Sequence, residues 1–123
     1  MQLLTAIPLL VAALATAVDA GGFIKTCSVT AVADAFLFTV CDKDSHASKL
    51  DLNLCYANDH GKIVPRNNGH FHKTCRDCIV QRDGWMTCKC QDGRGGAPES
   101  KINLDELITN YDGRIGCYTH LGT

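Results

Sequence analysis

The sequence has few aromatic residues, almost no net charge and, beyond its first twenty residues, no apolar stretch long enough to cross a bilayer. Aromatic residues make up 7% of the 123 residues, and Trp85 is the single tryptophan. The formal net charge is −1. A charge this close to zero gives no electrostatic basis for binding nucleic acid or an anionic membrane. We therefore expect no nucleic acid partner and no membrane insertion.

An apolar segment at the start of the sequence predicts export. Residues 3–20 are almost entirely apolar, with an uninterrupted small and aliphatic run from Ile7 to Val18. This run is too short for a transmembrane helix and matches the hydrophobic region of a secretory signal peptide. Val18 and Ala20 supply the small residues that favour cleavage after Ala20. We therefore expect residues 1–20 to be a signal peptide and residues 21–123 to form a secreted, extracellular domain.

The cysteines indicate a disulfide framework, because an even number in a small exported chain is typical of structural bridges. All eight lie in the predicted mature chain, at Cys27, Cys41, Cys55, Cys75, Cys78, Cys88, Cys90 and Cys117. A bridge that closes about 15 residues contributes roughly 3 kcal/mol to stability. A redox pair at Cys75 and Cys78, or a zinc cluster of the closely spaced cysteines, is a less favoured alternative in an oxidising compartment.

Four features recur in the same order about fifty residues apart and indicate an internal duplication. The recurring segments are 24–27 and 72–75, 48–52 and 100–104, and 58–63 and 110–115. The fourth feature is a second cysteine, which follows the first after 14 positions in one copy and 15 in the other. We therefore expect two tandem repeats, at about 21–71 and 72–123.

Each repeat predicts a β-hairpin followed by a short helical turn. Val29 to Val40 is rich in β-branched and apolar residues, with a turn expected at Ala33-Asp34. The second hairpin, between Cys75 and Cys90, has Arg82-Asp83-Gly84 at its tip. Bridges between the base residues of the hairpins, Cys27–Cys41 and Cys75–Cys90, are geometrically natural. The expected helical or 3₁₀ segments are 50–56 and 102–108, and turns are expected at 59–61 and 111–113.

These motifs resemble those of the cyanovirin-N family, from about Gly21 to Tyr118 with one insertion between Gly61 and Cys75. The likeness rests on Thr-Cys, the second cysteine, the Ile-Asn-Leu-Asp segment at 102–105 and the Asp-Gly turn at 112–113. The resemblance implies a mostly β, elongated antiparallel fold of two subdomains, each containing parts of both repeats. It also implies a metal-free lectin, without cofactor or enzymatic activity, that binds mannose-rich glycans as a monomer or a domain-swapped dimer.

The resemblance places two sugar sites, one in each subdomain. The site built from both ends of the chain comprises Gly22, Lys25, Thr26, Asp42, Asp44, Ser45, Asn110, Tyr111 and Asp112. The central site comprises Asn58, His60, Gly69, His70, Thr74, Gln91, Asp92 and Arg94. In the central site His60 replaces the turn aspartate and Ala57 replaces a polar residue. We therefore expect the site at the chain ends to be the stronger.

Two further bridges follow with less geometric support. Cys78–Cys88 lies within one hairpin, but a spacing of three residues sets Cys78 on the opposite side of a strand from Cys75, while their partners share a side. Both bridges are compatible only if a bulge or bend intervenes. Cys55–Cys117 then follows by elimination and would tie the two subdomains together.

Other functions are less favoured by the sequence. A histidine metal site at positions 60, 70 and 72 competes with ordinary solvated loop histidines. Asp105 and Glu106 are adjacent, so their side chains point apart on a helical turn and do not form a glycosidase pair. The alternative to a lectin is a secreted effector or structural interaction protein that kept the scaffold without sugar binding. It predicts loss of polar residues at both sites, whereas the sequence shows this mainly at the central one.

The secreted protein should begin at Gly21, because the small residues at Val18 and Ala20 define the cleavage position. Intact-mass analysis of protein collected from the medium measures the N-terminus directly. The same chain produced in the cytosol of the expression host is the control and should retain residues 1–20. Secreted material that still carries Met1 would contradict the prediction.

Overall fold

The computed structural model describes residues 21–41 and 45–123, which form short antiparallel strands joined by tight turns. The strands are β1 (Cys27–Ala33), β2 (Phe36–Cys41), β3 (His46–Asp51), β4 (Tyr56–Asp59), β5 (Lys62–Pro65), β6 (Cys75–Val80), β7 (Trp85–Cys90), β8 (Glu99–Asn103), β9 (Thr109–Tyr111), β10 (Arg114–Cys117) and β11 (His120–Leu121). Four 3₁₀ turns in this part of the chain cover Phe23–Lys25, Leu52–Leu54, Phe71–Lys73 and Leu104–Glu106. No helix among these residues is both long and apolar enough to span a membrane.

The strands pair in a pattern that is nearly the same in both halves of the chain. One sheet has the order β1-β2-β3 and another the order β6-β7-β8. Each is followed by a hairpin, β4-β5 in the first half and β9-β10, extended by β11, in the second. The expected mostly β, antiparallel fold is thereby confirmed.

Two local predictions need correction. The first hairpin turns at Asp34 and Ala35 rather than at Ala33, which remains in β1. Asp34 adopts φ 54°, a left-handed conformation that Asp tolerates better than most residues. The helical segments are also shorter than expected, because residues 50–51 and 102–103 complete β3 and β8 before each 3₁₀ turn begins.

The β1-β2-β3 and β6-β7-β8 sheets each contain a bulge near the base of the hairpin formed by their first two strands. In β6, Asp77 and Cys78 together lie opposite Cys88, and Asp77 has φ 55°. The extra residue turns Cys78 toward Cys88, with 4.1 Å between their Cα atoms, without disturbing the Cys75–Cys90 bridge. In β1, Thr30 occupies the corresponding bulge. The four bridges, which include Cys27–Cys41 and Cys55–Cys117, join the pairs that the sequence analysis expects.

The hairpin of each half packs on the sheet of the other half. Strand β10 lies against β3, and β5 lies against β8. The buried Ser48 hydroxyl accepts a hydrogen bond from the N–H of Ile115 at 3.1 Å, and the buried Ser100 hydroxyl accepts one from the N–H of Ile63 at 2.9 Å. Each half of the chain therefore contributes one sheet and one hairpin, and the hairpin packs on the sheet of the other half.

The 3₁₀ turns make a second reciprocal exchange between the halves. The N–H of Ile24 donates to the Asp105 carboxylate at 2.9 Å, and the N–H of His72 donates to the Asn53 side-chain oxygen at 3.0 Å. Beside these bonds, Phe23 and Phe71 are fully buried in the core. The same contacts thus occur twice, once in each half of the chain.

Among the described residues, the Tyr56 hydroxyl is the one buried side-chain polar atom without a hydrogen-bond partner. Burial raises the pKa of the Tyr56 phenol well above its ordinary value, and the neighbouring Tyr118 and Glu106 act in the same direction. The Tyr56 ring packs edge-on against Phe71, with 6.4 Å between ring centroids. Tyr56 therefore contributes to the core through its ring rather than through its hydroxyl.

Replacement of Ser100 by Ala should lower the free energy of unfolding by about 1–3 kcal/mol, because the buried N–H of Ile63 loses its acceptor. Denaturant titration of the oxidised protein measures the change. An unchanged unfolding free energy would show that this bond does not hold the β4-β5 hairpin on the sheet.

Tyr56→Phe is the matched control for Ser100→Ala, since it also removes one buried hydroxyl. Because the Tyr56 hydroxyl has no partner, we expect the unfolding free energy to stay the same or rise by about 1 kcal/mol. A loss comparable with that of Ser100→Ala would mean that the phenol is hydrogen-bonded in solution.

Candidate functional site

Two equivalent turns lie at the centre of the predicted sites. His60-Gly61 connects β4 to β5, and Asp112-Gly113 connects β9 to β10. All four residues have positive φ, between 53° and 101°, as a two-residue turn of type I′ requires. Asn58 and Asn110 stabilise these turns, because the side-chain oxygen of each accepts the glycine N–H at 2.7 Å.

The same two asparagines join each turn to a distant part of the chain. The Asn110 amide donates to the Thr26 hydroxyl at 2.8 Å, and the Asn58 amide donates to the Thr74 hydroxyl at 2.8 Å. Asn58 also donates to the carbonyl of Gln91 at 2.9 Å. The structure thus brings together residues that the sequence analysis assigns to one site. It also shows that the two asparagines have a structural role, because they hold each turn in place beside its threonine.

The cluster at the chain ends presents several exposed polar groups around Thr26. Gly22 has φ 90° and open space where a side chain would be, and Lys25 and Thr26 are exposed. Tyr111 is 41% exposed, and Asp112 is exposed beside it. Ser45 is also exposed, just before β3. Asp42 and Asp44, which the sequence analysis places in this cluster, lie outside the described residues.

The central cluster contains a structured acidic loop. The Asp92 carboxylate accepts the N–H groups of Arg94 and Gly96 at 2.7 and 3.1 Å. These two hydrogen bonds lower the pKa of Asp92, so that its carboxylate stays ionised. Asp92 and Arg94 line a shallow depression of about 300 Å³ together with His60 and Pro98. The His60 turn and the Asp92 loop therefore form one surface.

Not every residue predicted for the central cluster is placed to contact a ligand. A Cβ on Gly69 would overlap the carbonyl of Tyr56, so Gly69 is required by chain packing. His70 is exposed and has φ 54°, at the start of the Phe71–Lys73 turn. That stretch is not extended, so His70 and His72 do not share the strand face on which a metal pair would depend. His60 is 87% exposed, and a hydrogen bond from it lowers the pKa of Asp59.

Two residues that the sequence motifs do not indicate also reach the clusters, His46 at the start of β3 and Pro98 just before β8. His46 lies beside the Asp112 turn, since a Cβ on Gly113 would be 3.5 Å from its ring. Pro98 packs against Gly61, where a Cβ would be 3.3 Å from the proline ring. Both contacts cross between the two halves of the chain, so no local spacing indicates them. The one indication in the sequence was the family resemblance, which implies that each subdomain contains parts of both repeats.

The structure also decides two alternatives. Cys75 and Cys78 are bonded across the hairpin to Cys90 and Cys88, so their spacing is not that of a redox pair. The Asp105 carboxylate holds the N–H of Ile24, which gives it a structural role. Within residues 21–41 and 45–123, no group of three His, Cys, Asp or Glu side chains is placed to hold a metal ion.

Comparison with solved structures shows the same fold. The MoCVNH3 variant Mo0v, in complex with (N-GlcNAc)4, superposes with a TM-score of 0.72 at 18% identity, over 80% of this chain and 97% of that one. TbCVNH from T. borchii gives 0.65 at 22% identity, over 79% and 99%. Microvirin, in complex with mannobiose, gives 0.63 at 25% identity, over 80% and 99%.

The family assignment rests on the sequence as well as on the fold. The model of the CVNH domain matches residues 23–116, from the first 3₁₀ turn into β10. This match includes both turns, the two asparagines and the two threonines described above. The chain therefore belongs to the CVNH domain family, the lectin family of cyanovirin-N homologues.

Proposed function

We propose that this protein is an exported lectin that binds mannose-rich oligosaccharides through the two polar clusters around Asn58 and Asn110. One observation carries the proposal. In each half of this chain, which has the CVNH fold, an asparagine joins a type I′ turn to a threonine hydroxyl. Exposed polar groups surround each of these junctions. Export rests on the apolar segment before residue 21, which precedes a domain with four disulfides.

The chemistry of the cluster at the chain ends fits a vicinal diol. Two neighbouring hydroxyls both donate and accept, so they require donors and acceptors set close together. Because the Thr26 oxygen accepts from Asn110, the hydroxyl proton of Thr26 is directed elsewhere and can be donated to a sugar. Asp112 contributes an acceptor and Lys25 a donor. A charged acceptor makes the stronger hydrogen bond to a sugar hydroxyl.

The central cluster is the weaker site in this proposal. At the position of Asp112 it has His60, whose Nδ1 already lies 2.8 Å from the Asp59 carboxylate. Asp92 likewise uses one carboxylate oxygen to hold its own loop. At its turn the central cluster therefore has an imidazole in place of a carboxylate, and an imidazole accepts fewer hydrogen bonds from sugar hydroxyls.

The sugars bound in two of the similar structures allow two candidate ligands to be compared for this chain. Microvirin is solved with mannobiose and the MoCVNH3 variant with a tetramer of N-acetylglucosamine. Mannose carries adjacent free hydroxyls at positions 2, 3 and 4, whereas an acetamido group replaces the 2-hydroxyl in N-acetylglucosamine. The Asp112 carboxylate as acceptor and the Thr26 hydroxyl as donor, both in the cluster joined by Asn110, suit a run of adjacent hydroxyls, which favours mannose.

Asp112→Asn should weaken binding of mannobiose about ten- to a hundredfold, because a charge-assisted hydrogen bond is replaced by a neutral one. His60→Asn is the matched variant in the other turn and should change affinity by less than about threefold. Both positions have φ near 55°, which Asn tolerates, so both variants should keep the turn. Titration calorimetry measures the affinities, and circular dichroism checks the fold.

Three outcomes would count against the proposal. A folded Asp112→Asn variant that binds like the parent would contradict the site assignment. Tighter binding of tetra-N-acetylglucosamine than of mannobiose by the parent would contradict the preference for mannose. No binding of either sugar by the parent would favour a secreted interaction protein on the same scaffold.

A further inference from the structure

The outer face of the β6-β7-β8 sheet carries the only tryptophan of the chain. Burial alternates strictly along β7, so that Met86, Cys88 and Cys90 face the core. Trp85 and Thr87 therefore point outward, and Trp85 is 42% exposed. A large indole left at the surface of a small protein is unusual enough to require a reason.

Trp85 lies in a shallow depression of about 220 Å³ whose other lining residues are polar. They are Gln81, Thr87 and Lys101. The N–H of Gln81 donates to the carbonyl of Trp85 at 2.8 Å, and Thr87 pairs with Lys101 across the β7-β8 ladder. An apolar ring is thus surrounded by an amide, a hydroxyl and an ammonium group.

The first half of the chain has an aromatic residue and a lysine at the equivalent positions, but there the lysine covers the aromatic ring. Phe36 begins β2 as Trp85 begins β7, and Lys49 follows the buried Ser48 as Lys101 follows Ser100. The Lys49 ammonium lies 5.2 Å from the centre of the Phe36 ring. In the part of the chain that the structure describes, this is the only cation–π contact, so Lys101 does not cover Trp85 in the same way.

The hairpin that carries Trp85 is also the more heavily crosslinked one. Cys78–Cys88 is added to the Cys75–Cys90 bridge, whereas the first hairpin has Thr30 and Thr39 at the matching places. The tip of the second hairpin is anchored as well, because the carbonyl of Gly84 accepts the N–H of Leu104 at 2.9 Å. A rigid platform loses little conformational entropy when a ligand binds.

We propose that Trp85, Gln81, Thr87 and Lys101 form a third saccharide-binding site. The indole stacks on the apolar C–H face of one pyranose ring, and the three polar side chains hydrogen-bond to hydroxyls at its rim. The inference rests on the proposed function, since it takes a glycan as the ligand. The site is separate from the central cluster, because Cys90 lies five positions further along β7 than Trp85, which is roughly 17 Å of extended chain.

A sugar fits this depression better than a second copy of the chain does. A stable protein interface buries more than about 1,000 Å² around an apolar centre. Here the exposed large apolar residues on the sheet are Trp85 and Ile79, and charged residues border them at Arg82, Asp83, Lys89, Glu99 and Lys101. One ring and three polar groups match one sugar unit of a longer glycan.

The single tryptophan makes the site directly observable by fluorescence. Titration of the oxidised protein with mannobiose, and separately with tetra-N-acetylglucosamine, should give a saturable change in tryptophan emission with at least one of them. The change should persist at the same midpoint in the Thr26→Ala/Thr74→Ala variant, which removes the hydroxyls of both polar clusters. Loss of the response in that variant would overturn a separate site.

Substitutions at the platform complete the test. By calorimetry, Trp85→Ala should weaken binding at this site about tenfold, and Trp85→Phe should keep part of it. Ile79→Ala is the control, because Ile79 is 67% exposed on the same face but does not line the depression. Equal loss in Ile79→Ala would overturn the assignment to Trp85.

The two proposals fail in different ways. Sugar binding by calorimetry without any change in Trp85 emission would overturn the third site and leave the proposed function standing. No binding by either method would overturn both. Sedimentation showing a dimer that Trp85→Ala dissociates would instead assign this face to a second copy of the chain.

Discussion

Two buried serine hydroxyls seat each hairpin of this protein on the sheet of the other half. Ser48 and Ser100 each accept an amide hydrogen from a hairpin that belongs to the other half, where water cannot replace them. Without these acceptors, each hairpin would leave an unpaired N–H against the opposite sheet. Asn53 and Asp105 repeat the same exchange at the 3₁₀ turns. Each half of the chain therefore depends on the other for these hydrogen-bond acceptors.

The two polar clusters follow from this exchange. Thr26 and Asn110 lie at opposite ends of the chain, and they meet because the β9-β10 hairpin packs on the first sheet. Asn58 meets Thr74 by the equivalent packing on the second sheet. The halves then diverge at exposed positions, where replacement costs little stability. As a result, the two polar clusters of one scaffold differ in chemistry. For example, Asp112 in one turn corresponds to His60 in the other.

The second hairpin shows the same divergence in its covalent structure. A bulge common to both hairpins holds Thr30 in the first and Cys78 in the second, and only the second adds a bridge at this place. The aromatic residue that follows each turn is covered by a lysine in one half and exposed in the other. The additional disulfide and the exposed tryptophan thus belong to the same hairpin. A binding site on a rigid element of this kind is held in a defined geometry.

The sequence by itself determined the fold class, the two hairpins and the bridges at the hairpin bases, because these depend on composition and spacing, whereas Cys78–Cys88 depended on a bulge that spacing does not reveal. It also named Thr26, Asn58, Thr74 and Asn110 as members of the sites. Only the tertiary structure decided that the asparagines build the turns, that Gly69 serves packing, and that His46 and Pro98 reach the clusters. Those contacts join residues from opposite halves of the chain, and local spacing carries no information about which hairpin packs on which sheet.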